Sequence, residues 1–226
     1  MEVLDNIPVK LDLEQVLKHL HLSKESKHVK KVQELIELVH RIAKPKVLYE
    51  VSYVDNKNED SLYIGGIKFT SSVLRVNLDD VERVFPYVAT SGTELDEIIA
   101  PSEDLFKDLF LDAMKLIILR ITTTYLEDHL TRTYALGQLS KMNPGSLQNW
   151  PITQQNELFS IFRNVEDLIG VRLTENFLMI PLKSVSGIYF PTQIKFESCQ
   201  LCPRDRCSGR RAPYNPDLKK TVYGIN

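Results

Sequence analysis

Three cysteines near the end of the chain are the residues best suited, by type and spacing, to bind a metal ion. Cys199, Cys202 and Cys207 have a C-x2-C-x4-C spacing. A C-x2-C pair can place two thiolates on one ion, and a third cysteine nearby can supply a third ligand. The spacing predicts zinc or an iron–sulfur cluster, with a fourth ligand from Asp205, a histidine, a small molecule or another chain. The plain alternative is a reduced, exposed cysteine loop.

The same segment is rich in arginine, which could balance thiolates or bind an anion. Four arginines lie beside the cysteines: Arg204, Arg206, Arg210 and Arg211. Their positive charge would lower the pKa values of the thiols. In the run RRAPY, Arg210, Arg211 and Tyr214 predict a site for a phosphate, a corrinoid side chain or an acidic partner. A solvated basic tail explains the same composition.

A second place for ligand chemistry is the loop SKMNPGSLQNWPI, which extends from Ser140 to Ile152. Pro144-Gly145 is a turn signal, and a rigid turn exposes backbone groups to a ligand. Lys141 supplies a cation three residues before the proline. The structural alternative is a loop that starts the next helix, with Trp150 packed beneath it.

Two predicted strands after this loop must help to position these residues. The segment from Val171 to Phe190 is predicted to form two short strands that meet at Pro181, because proline cannot donate a ladder hydrogen bond. In the second strand, Val185, Gly187 and Tyr189 share one face. Gly187 has no side chain, so another backbone or a ligand can come close there. The pattern alone favours a core hairpin.

Helical periodicity dominates the first part and the middle of the chain. Two amphipathic helices are predicted within residues 1–45. The longest helical pattern opens at Pro101-Ser102 and persists to about Leu136, and we expect a bend or an early end at the β-branched run Thr122–Thr124. Because the strands lack regular βαβ alternation, we predict an α+β fold: a mostly antiparallel, twisted sheet covered by helices, one of them long and central. The predicted divisions are an N-terminal helical segment (1–45), an α+β domain (46–198) and a Cys/Arg-rich tail (199–226).

Composition argues against several classes of function. A chain of 226 residues, 43% of them hydrophobic, can bury a core, and its net charge of −2 provides no basic field for nucleic acid. The N-terminus lacks the apolar core of a secretory signal, and the most apolar run, Met114 to Ile121, is too short for a bilayer. Without an export signal, three cysteines do not indicate a disulfide framework. We therefore expect a soluble cytoplasmic protein with no nucleic-acid or membrane partner.

Several segments of the chain resemble a known family. LTENFLMIP, followed by SVSGIYF, is similar to the activation (reactivation) domain of cobalamin-dependent methionine synthase. The segment FPYVATSGTELDE resembles it more weakly, so the likeness extends over roughly Val84 to Phe190. The cysteine-rich tail resembles that of a stand-alone branch of the family, whose members are separate small proteins. The resemblance implies the fold of the activation domain.

The resemblance also implies a ligand site at the Pro-Gly turn. In that family an R-x-x-P-G-Y turn holds S-adenosylmethionine, with the arginine on the ligand's carboxylate. Here the turn is KMNPGS, so Lys141 stands in the place of the arginine and Ser146 in that of the tyrosine. The family's long helix carries an acidic ligand contact, and Arg120 occupies that position. The candidate ligand-binding residues are Lys141, Asn143, Pro144, Gly145, Ser146, Ser186, Gly187 and Tyr189.

The function that the resemblance implies is that of an accessory protein for a corrinoid methyltransferase. It would dock on the cobalamin module and support reductive reactivation and remethylation, with S-adenosylmethionine and a separate electron donor or reductase. Lys141, Pro144, Gly145 and Ser186 would line a groove facing the corrinoid, and the cofactors would carry the chemistry. The alternative is a non-catalytic or electron-transfer accessory protein that lacks S-adenosylmethionine and holds a metal or iron–sulfur centre. A protein–protein adaptor with neither ligand is the third interpretation.

Overall fold

The computed structural model describes residues 1–97, 104–207 and 209–225. The strands are β1 (Glu2–Leu4), β2 (Lys46–Tyr49), β3 (Ser52–Lys57), β4 (Ser61–Ile64), β5 (Ile67–Thr70), β6 (Arg83–Thr90), β7 (Leu139–Met142), β8 (Arg172–Leu173), β9 (Met179–Ile180) and β10 (Ser184–Pro191). The α-helices are α1 (Leu13–His19), α2 (Val29–Ile42), α3 (Ser72–Asn77), α4 (Glu94–Glu97), α5 (Leu105–Thr133), α6 (Gln155–Ile161), α7 (Val165–Ile169) and α8 (Pro216–Thr221). Two 3-10 helices cover Ile152–Gln154 and Ser198–Leu201. Within the described ranges, no helix is both long enough and apolar enough to cross a membrane.

β6 is the centre of the main sheet, because its two sides pair with different strands. β10 pairs along one side, from Ser184 to Tyr189. β2 and β3 share the other side, where β2 pairs with residues 87–90 and β3 with residues 83–84. β1 extends the sheet beyond β2, β4 and β5 extend it beyond β3, and β7 extends it beyond β10. All these pairings are antiparallel, so the predicted antiparallel sheet is confirmed.

Helices cover both faces of this sheet. On one face, Leu126 and Leu130 of α5 pack with Tyr87 of β6 and Tyr189 of β10. On the other face, Val88 of β6 packs with the core residues of α7. Part of the remaining surface of α5 is covered by α1 and α2, which share an apolar cluster with it. This arrangement confirms the predicted α+β fold with one long central helix.

The long helix α5 is continuous, so the predicted bend or early end at Thr122–Thr124 is wrong. Thr122 is fully buried, and its Oγ1 donates a hydrogen bond to the carbonyl oxygen of Ile118 at 2.8 Å. Packing on both sides of the run therefore outweighs the low helix propensity of threonine. The 29 residues of the helix span about 44 Å. The start predicted at Pro101-Ser102 lies outside the described residues.

The segment before β10 differs from the single strand predicted for it. β8 and β9 are two short strands that pair with each other, with Arg172 opposite Ile180. The chain reverses between them because Phe177 has a left-handed backbone, with φ of 60°. Its N–H donates to the carbonyl oxygen of Thr174 at 2.9 Å. β9 ends before Pro181 as predicted, but β10 pairs with β6 and β7 instead of forming a hairpin with β9.

Candidate functional site

Gly187 allows β7 and β10 to approach each other closely at the end of β7. A Cβ atom at Gly187 would lie 2.5 Å from the carbonyl oxygen of Met142. Asn143 uses the same space, and its Nδ2 donates to the Tyr87 hydroxyl at 2.9 Å and to the Ser186 carbonyl oxygen at 2.7 Å. The close approach that the sequence predicts at Gly187 is therefore made by the neighbouring strand and its asparagine.

Lys141 lies over a buried tyrosine of the sheet. Its Nζ donates to the Tyr189 hydroxyl at 2.9 Å and stands 5.0 Å from the centroid of that ring. The Tyr189 hydroxyl in turn donates to the carbonyl oxygen of Thr123 in α5 at 3.1 Å. Burial lowers the pKa of Lys141 and raises that of Tyr189, because each charged form loses its hydration. The lysine thus joins the sheet to the helix as well as bearing charge.

A groove of about 580 Å³ opens beside this lysine, between α5, β7, β10 and the C-terminal segment. Leu116 and Leu119 of α5 and Val185 of β10 form its apolar lining, and Tyr87 and Asn143 also border it. Its cationic lining residues are Arg120, Lys141, Arg210 and Arg211. No carboxylate is among the described residues that line it, although Glu197 pairs with Arg211 and Glu127 lies close enough to act on Lys141.

The Pro-Gly turn lies outside this groove and packs on the protein itself. The Gly145 N–H donates to the carbonyl oxygen of Trp150 at 2.7 Å, and the Trp150 side chain is fully buried. Pro144, Gly145 and Ser146 are not among the residues that line the groove. The turn therefore makes the contact expected of the structural alternative, a loop that packs over its tryptophan.

The candidate residues of β10 are also largely internal. Ser186 is 2% exposed, and its Oγ has no hydrogen-bond partner among the described residues. Because side chains alternate along a strand, Val185 faces the groove and Ser186 faces away. Of the four residues predicted to line one groove, Lys141 lines the groove described above, and Pro144, Gly145 and Ser186 do not.

The three cysteines do not form the predicted metal site. Within residues 1–97, 104–207 and 209–225, no group of three or more His, Cys, Asp and Glu residues could hold a metal ion. Cys199 and Cys202 are partly exposed and Cys207 is exposed, and all three are free thiols. In the described part of the chain the three thiols are therefore not gathered as a zinc or iron–sulfur centre would require.

Arg210 gives the physical reason for this loop conformation. Its guanidinium donates to the carbonyl oxygens of four residues of the same segment: Cys199 and Ala212 through Nη1, and Cys202 and Arg204 through Nη2. A guanidinium has five N–H donors in a planar fork, so one side chain can hold several carbonyls of a loop. The arginine thus folds the cysteine segment around itself.

Arg211 and Tyr214, the other two predicted anion-binding residues, have different environments. The Arg211 Nε donates to Glu197 Oε2 at 2.7 Å, and its backbone N–H points to the Cys199 Sγ at 3.5 Å. Arg211 lines the groove, whereas Tyr214 does not. The structure therefore brings Arg210 and Arg211 to the same groove as Lys141 and leaves Tyr214 apart.

Tyr87 is a groove residue that the sequence did not single out. It lies in β6 opposite Gly187 and its ring is 4.9 Å from that of Tyr189. The signal available was the alternation of FPYVAT, which places Phe85, Tyr87 and Ala89 on one face. Alternation does not reveal which face meets the groove, because that depends on the pairing of β6 with β10.

Comparisons with known proteins show what the chain is similar to. A family model described as vitamin B12 dependent methionine synthase, activation domain, matches residues 144–208. No curated protein sequence matches the chain. The solved structure described as the MetH reactivation domain bound to AdoHcy superimposes with a TM-score of 0.58 and 15% identity, over 88% of this chain and 81% of that chain. The resemblance to the activation domain of cobalamin-dependent methionine synthase is confirmed: residues 144–208 match its family model, and the chain has the fold of the MetH reactivation domain.

Proposed function

We propose that this chain is an accessory protein that docks on the cobalamin-binding module of a corrinoid methyltransferase and supports its reactivation. The observation that carries the proposal is the position of the family match, residues 144–208. The matched segment contains β10 and ends immediately before Gly209, and Val185 and Gly209 both border the groove. The matched segment therefore contributes Val185 to the groove, and two further lining residues, Asn143 and Gly209, adjoin its two ends.

An exposed apolar surface beside the groove supports docking of a protein. Leu105 and Leu109 of α5 are 81% and 58% exposed, and Leu182, before β10, is 70% exposed. The salt bridge of 2.9 Å between Lys183 and Asp112 holds the loop of Leu182 against α5. Exposed apolar patches often mark interaction sites. We name Leu105, Leu109 and Leu182 the apolar rim and propose that the partner contacts it.

The role of the chain would be to position its partner, because the reactive groups belong to cofactors. A separate electron donor would reduce the inactive corrinoid, and remethylation would return it to the catalytic cycle. The residues of the chain would hold the corrinoid module in an orientation that leaves the cofactor accessible to the donor.

S-adenosylmethionine stays part of this proposal, because a protein of similar fold was solved with the related compound AdoHcy. Its carboxylate would match the cationic lining, but its ammonium and sulfonium groups would face arginines without a carboxylate among the described lining residues. The MetH reactivation domain was solved with AdoHcy, which has no sulfonium charge. Isothermal titration calorimetry with both compounds tests this point. We expect saturable heat with AdoHcy and weaker heat with S-adenosylmethionine, and no heat with either compound at millimolar concentration would remove this ligand class from the proposal.

Docking can be tested with a methionine synthase fragment that contains the cobalamin-binding module and lacks an activation domain. We expect a complex in size-exclusion chromatography, and a faster loss of the oxidised corrinoid absorbance when a low-potential chemical reductant is added. Leu109→Glu should weaken the complex. Ile194→Glu is the matched control, because Ile194 is 83% exposed and lies outside both the groove and the apolar rim. A complex that survives Leu109→Glu unchanged would argue against the apolar rim, and the absence of any complex would argue against the function.

A further inference from the structure

The groove has the charge of a site for a negatively charged ligand. We infer that it binds a phosphate-class oxyanion, held by Arg120 from α5 and Arg211 from the C-terminal segment, which face the same groove. Arginine forms bidentate hydrogen bonds with phosphate, and two arginines from different elements can contact one phosphate from two sides. The inference does not require the proposed docking function, because it depends on the groove alone.

Arg120 has its hydrogen-bonding capacity available. It is exposed at the groove, and in the described part of the chain no acceptor receives a hydrogen bond from its guanidinium. The pKa of His19 is lowered, first by burial of that histidine and second by the positive charge of Arg120 nearby. An anion at the groove would bind the free guanidinium and relieve this repulsion.

Arg211 is held in place through its Nε atom, and its two terminal nitrogens are available to a ligand. Among the described residues, its guanidinium bonds only through Nε, to Glu197 Oε2 at 2.7 Å. The Glu197 side chain is 17% exposed, so its carboxylate fixes the guanidinium and also offsets part of its charge. The two terminal nitrogens of Arg211 carry four further N–H donors, in the geometry that suits phosphate oxygens.

The other two cations strengthen the field of the groove while keeping structural roles. Arg210 uses its terminal nitrogens on the carbonyls of the cysteine segment. Lys141 donates to Tyr189, and burial lowers its pKa because its charge is poorly hydrated. A bound anion would offset that cost, so Lys141 favours anion binding even without releasing Tyr189.

The lining also indicates what the oxyanion is attached to. Leu116, Leu119 and Val185 provide apolar contacts next to the cations. A volume of about 580 Å³ is in the range of small-molecule sites. The ligand class is therefore a phosphate group on an organic body, and this chemistry has two sources: a nucleotide, or a corrinoid that carries a phosphodiester.

The inference can be tested by calorimetry with sodium pyrophosphate and with ADP on the full chain. We expect saturable binding that weakens about tenfold or more in Arg120→Ala and in Arg211→Ala. Arg211→Lys should retain part of the affinity. Arg132→Ala is the matched control, because Arg132 is an exposed arginine of the same helix outside the groove. Circular dichroism melting of each variant establishes that it is folded.

Glu197→Gln separates ligand binding from a structural role of the Arg211–Glu197 pair. If the pair only stabilises the tail, this variant changes the melting temperature and leaves anion affinity unaltered. If Arg211 binds the anion, loss of the competing carboxylate strengthens pyrophosphate binding several-fold while Arg211→Ala weakens it. Equal affinity in wild type and Glu197→Gln would therefore count against the inference.

Two further comparisons identify the source of the phosphate. Tighter binding of ADP than of pyrophosphate indicates a nucleotide, and tighter binding of cobalamin than of cobinamide, which lacks the phosphodiester, indicates the corrinoid. The inference is overturned if pyrophosphate gives no heat at millimolar concentration, or if both arginine variants bind it as the wild type does. Binding of a glutamate-rich peptide in place of pyrophosphate would also overturn it and would assign the groove to an acidic protein surface.

Discussion

The side-chain amide of Asn143 occupies the space that a side chain at Gly187 would fill. A Cβ atom on Gly187 would lie only 2.4 Å from Asn143 Nδ2. From this position Asn143 reaches Tyr87 in β6 and the backbone of Ser186 in β10. One asparagine therefore connects the end of β7 to the two central strands of the sheet, at the floor of the groove.

Replacement of Gly187 by alanine should destabilise the protein by roughly 1–3 kcal/mol, the range found when a packed site is overfilled. The new methyl would displace both Asn143 and the Met142 carbonyl oxygen, and the latter is backbone that cannot rotate away. Urea denaturation gives the free energy of unfolding. Gly137→Ala is the control, because a Cβ there meets nothing within 4 Å. Equal stability of the two variants would show that β7 can move away from β10.

Asn143→Ala should lower the free energy of unfolding by about 2 kcal/mol, since it leaves two buried acceptors without their donor. The comparison is Asn156→Ala, which removes an exposed asparagine from α6. In the Asn143→Ala background, Gly187→Ala should cost less than it does alone, because one of its two clashes is gone. Strict additivity of the two changes would contradict the interlocking of these residues.

The parts of the fold that follow from periodicity could be predicted from the sequence. Alternation marked β10, the 3.6-residue period marked α5, and the missing side chain of Gly187 marked a close approach. The β8–β9 hairpin could not be predicted, because it turns at Phe177 with a positive φ, and a phenylalanine gives no signal for that conformation. The helix through Thr122 could not be predicted either, because burial outweighs propensity there.

The groove was predicted only in part, because its cations come from segments far apart in the sequence. Lys141 was expected from the turn, and Arg120 was placed on the long helix by resemblance. Nothing in the sequence brings Arg211 to the same surface as Arg120. The tail reaches the groove through its own contacts, notably the burial of Leu201 and Phe196 in the core. The cysteine spacing suggested a metal, whereas Arg210 organises the segment by binding its carbonyls.

Arg210→Ala should loosen the cysteine segment without unfolding the domain. Loss of charged hydrogen bonds worth about 2 kcal/mol would raise local opening roughly thirtyfold. Hydrogen exchange measured by mass spectrometry should show faster exchange over residues 199–212, and Cys199 should react faster with an alkylating reagent. The control is Arg204→Ala. Among the described residues, none accepts a hydrogen bond from the Arg204 side chain, and the Arg204 carbonyl oxygen, which accepts from Arg210, is kept in the variant. Unchanged exchange in Arg210→Ala would contradict the proposed role of the guanidinium.

Tyr223 should make stability fall at alkaline pH. Burial raises its pKa to about 12, while its hydroxyl donates to Asn77 Oδ1 at 3.0 Å. In the unfolded chain tyrosine loses its proton near pH 10. The contribution of Tyr223 is therefore complete below about pH 10 and is lost as the pH rises through about 12. Tyr223→Phe should show a shallower decline than the wild type in urea denaturation over this window. Tyr53→Phe is the control, because it removes an exposed tyrosine hydroxyl. If the stability of Tyr223→Phe declines as steeply with pH as that of the wild type, Tyr223 is not the group responsible.

Burial of Lys115 in the core should be stable only when its ammonium pairs with the Asp96 carboxylate. Lys115 is 4% exposed within α5, and its ammonium pairs with the Asp96 carboxylate from α4. Asp96→Asn should cost about 3 kcal/mol, because a buried ammonium is left without its counter-charge. The double variant Asp96→Asn with Lys115→Met should recover most of that loss, since a buried methionine needs no partner. Asp112→Asn is the control, because its partner Lys183 is 26% exposed and such pairs contribute less than about 1 kcal/mol. If Asp96→Asn and Asp112→Asn prove equally mild, Lys115 must be stabilised by hydration or by movement of α4, and the ion pair does not fix α4 on the long helix.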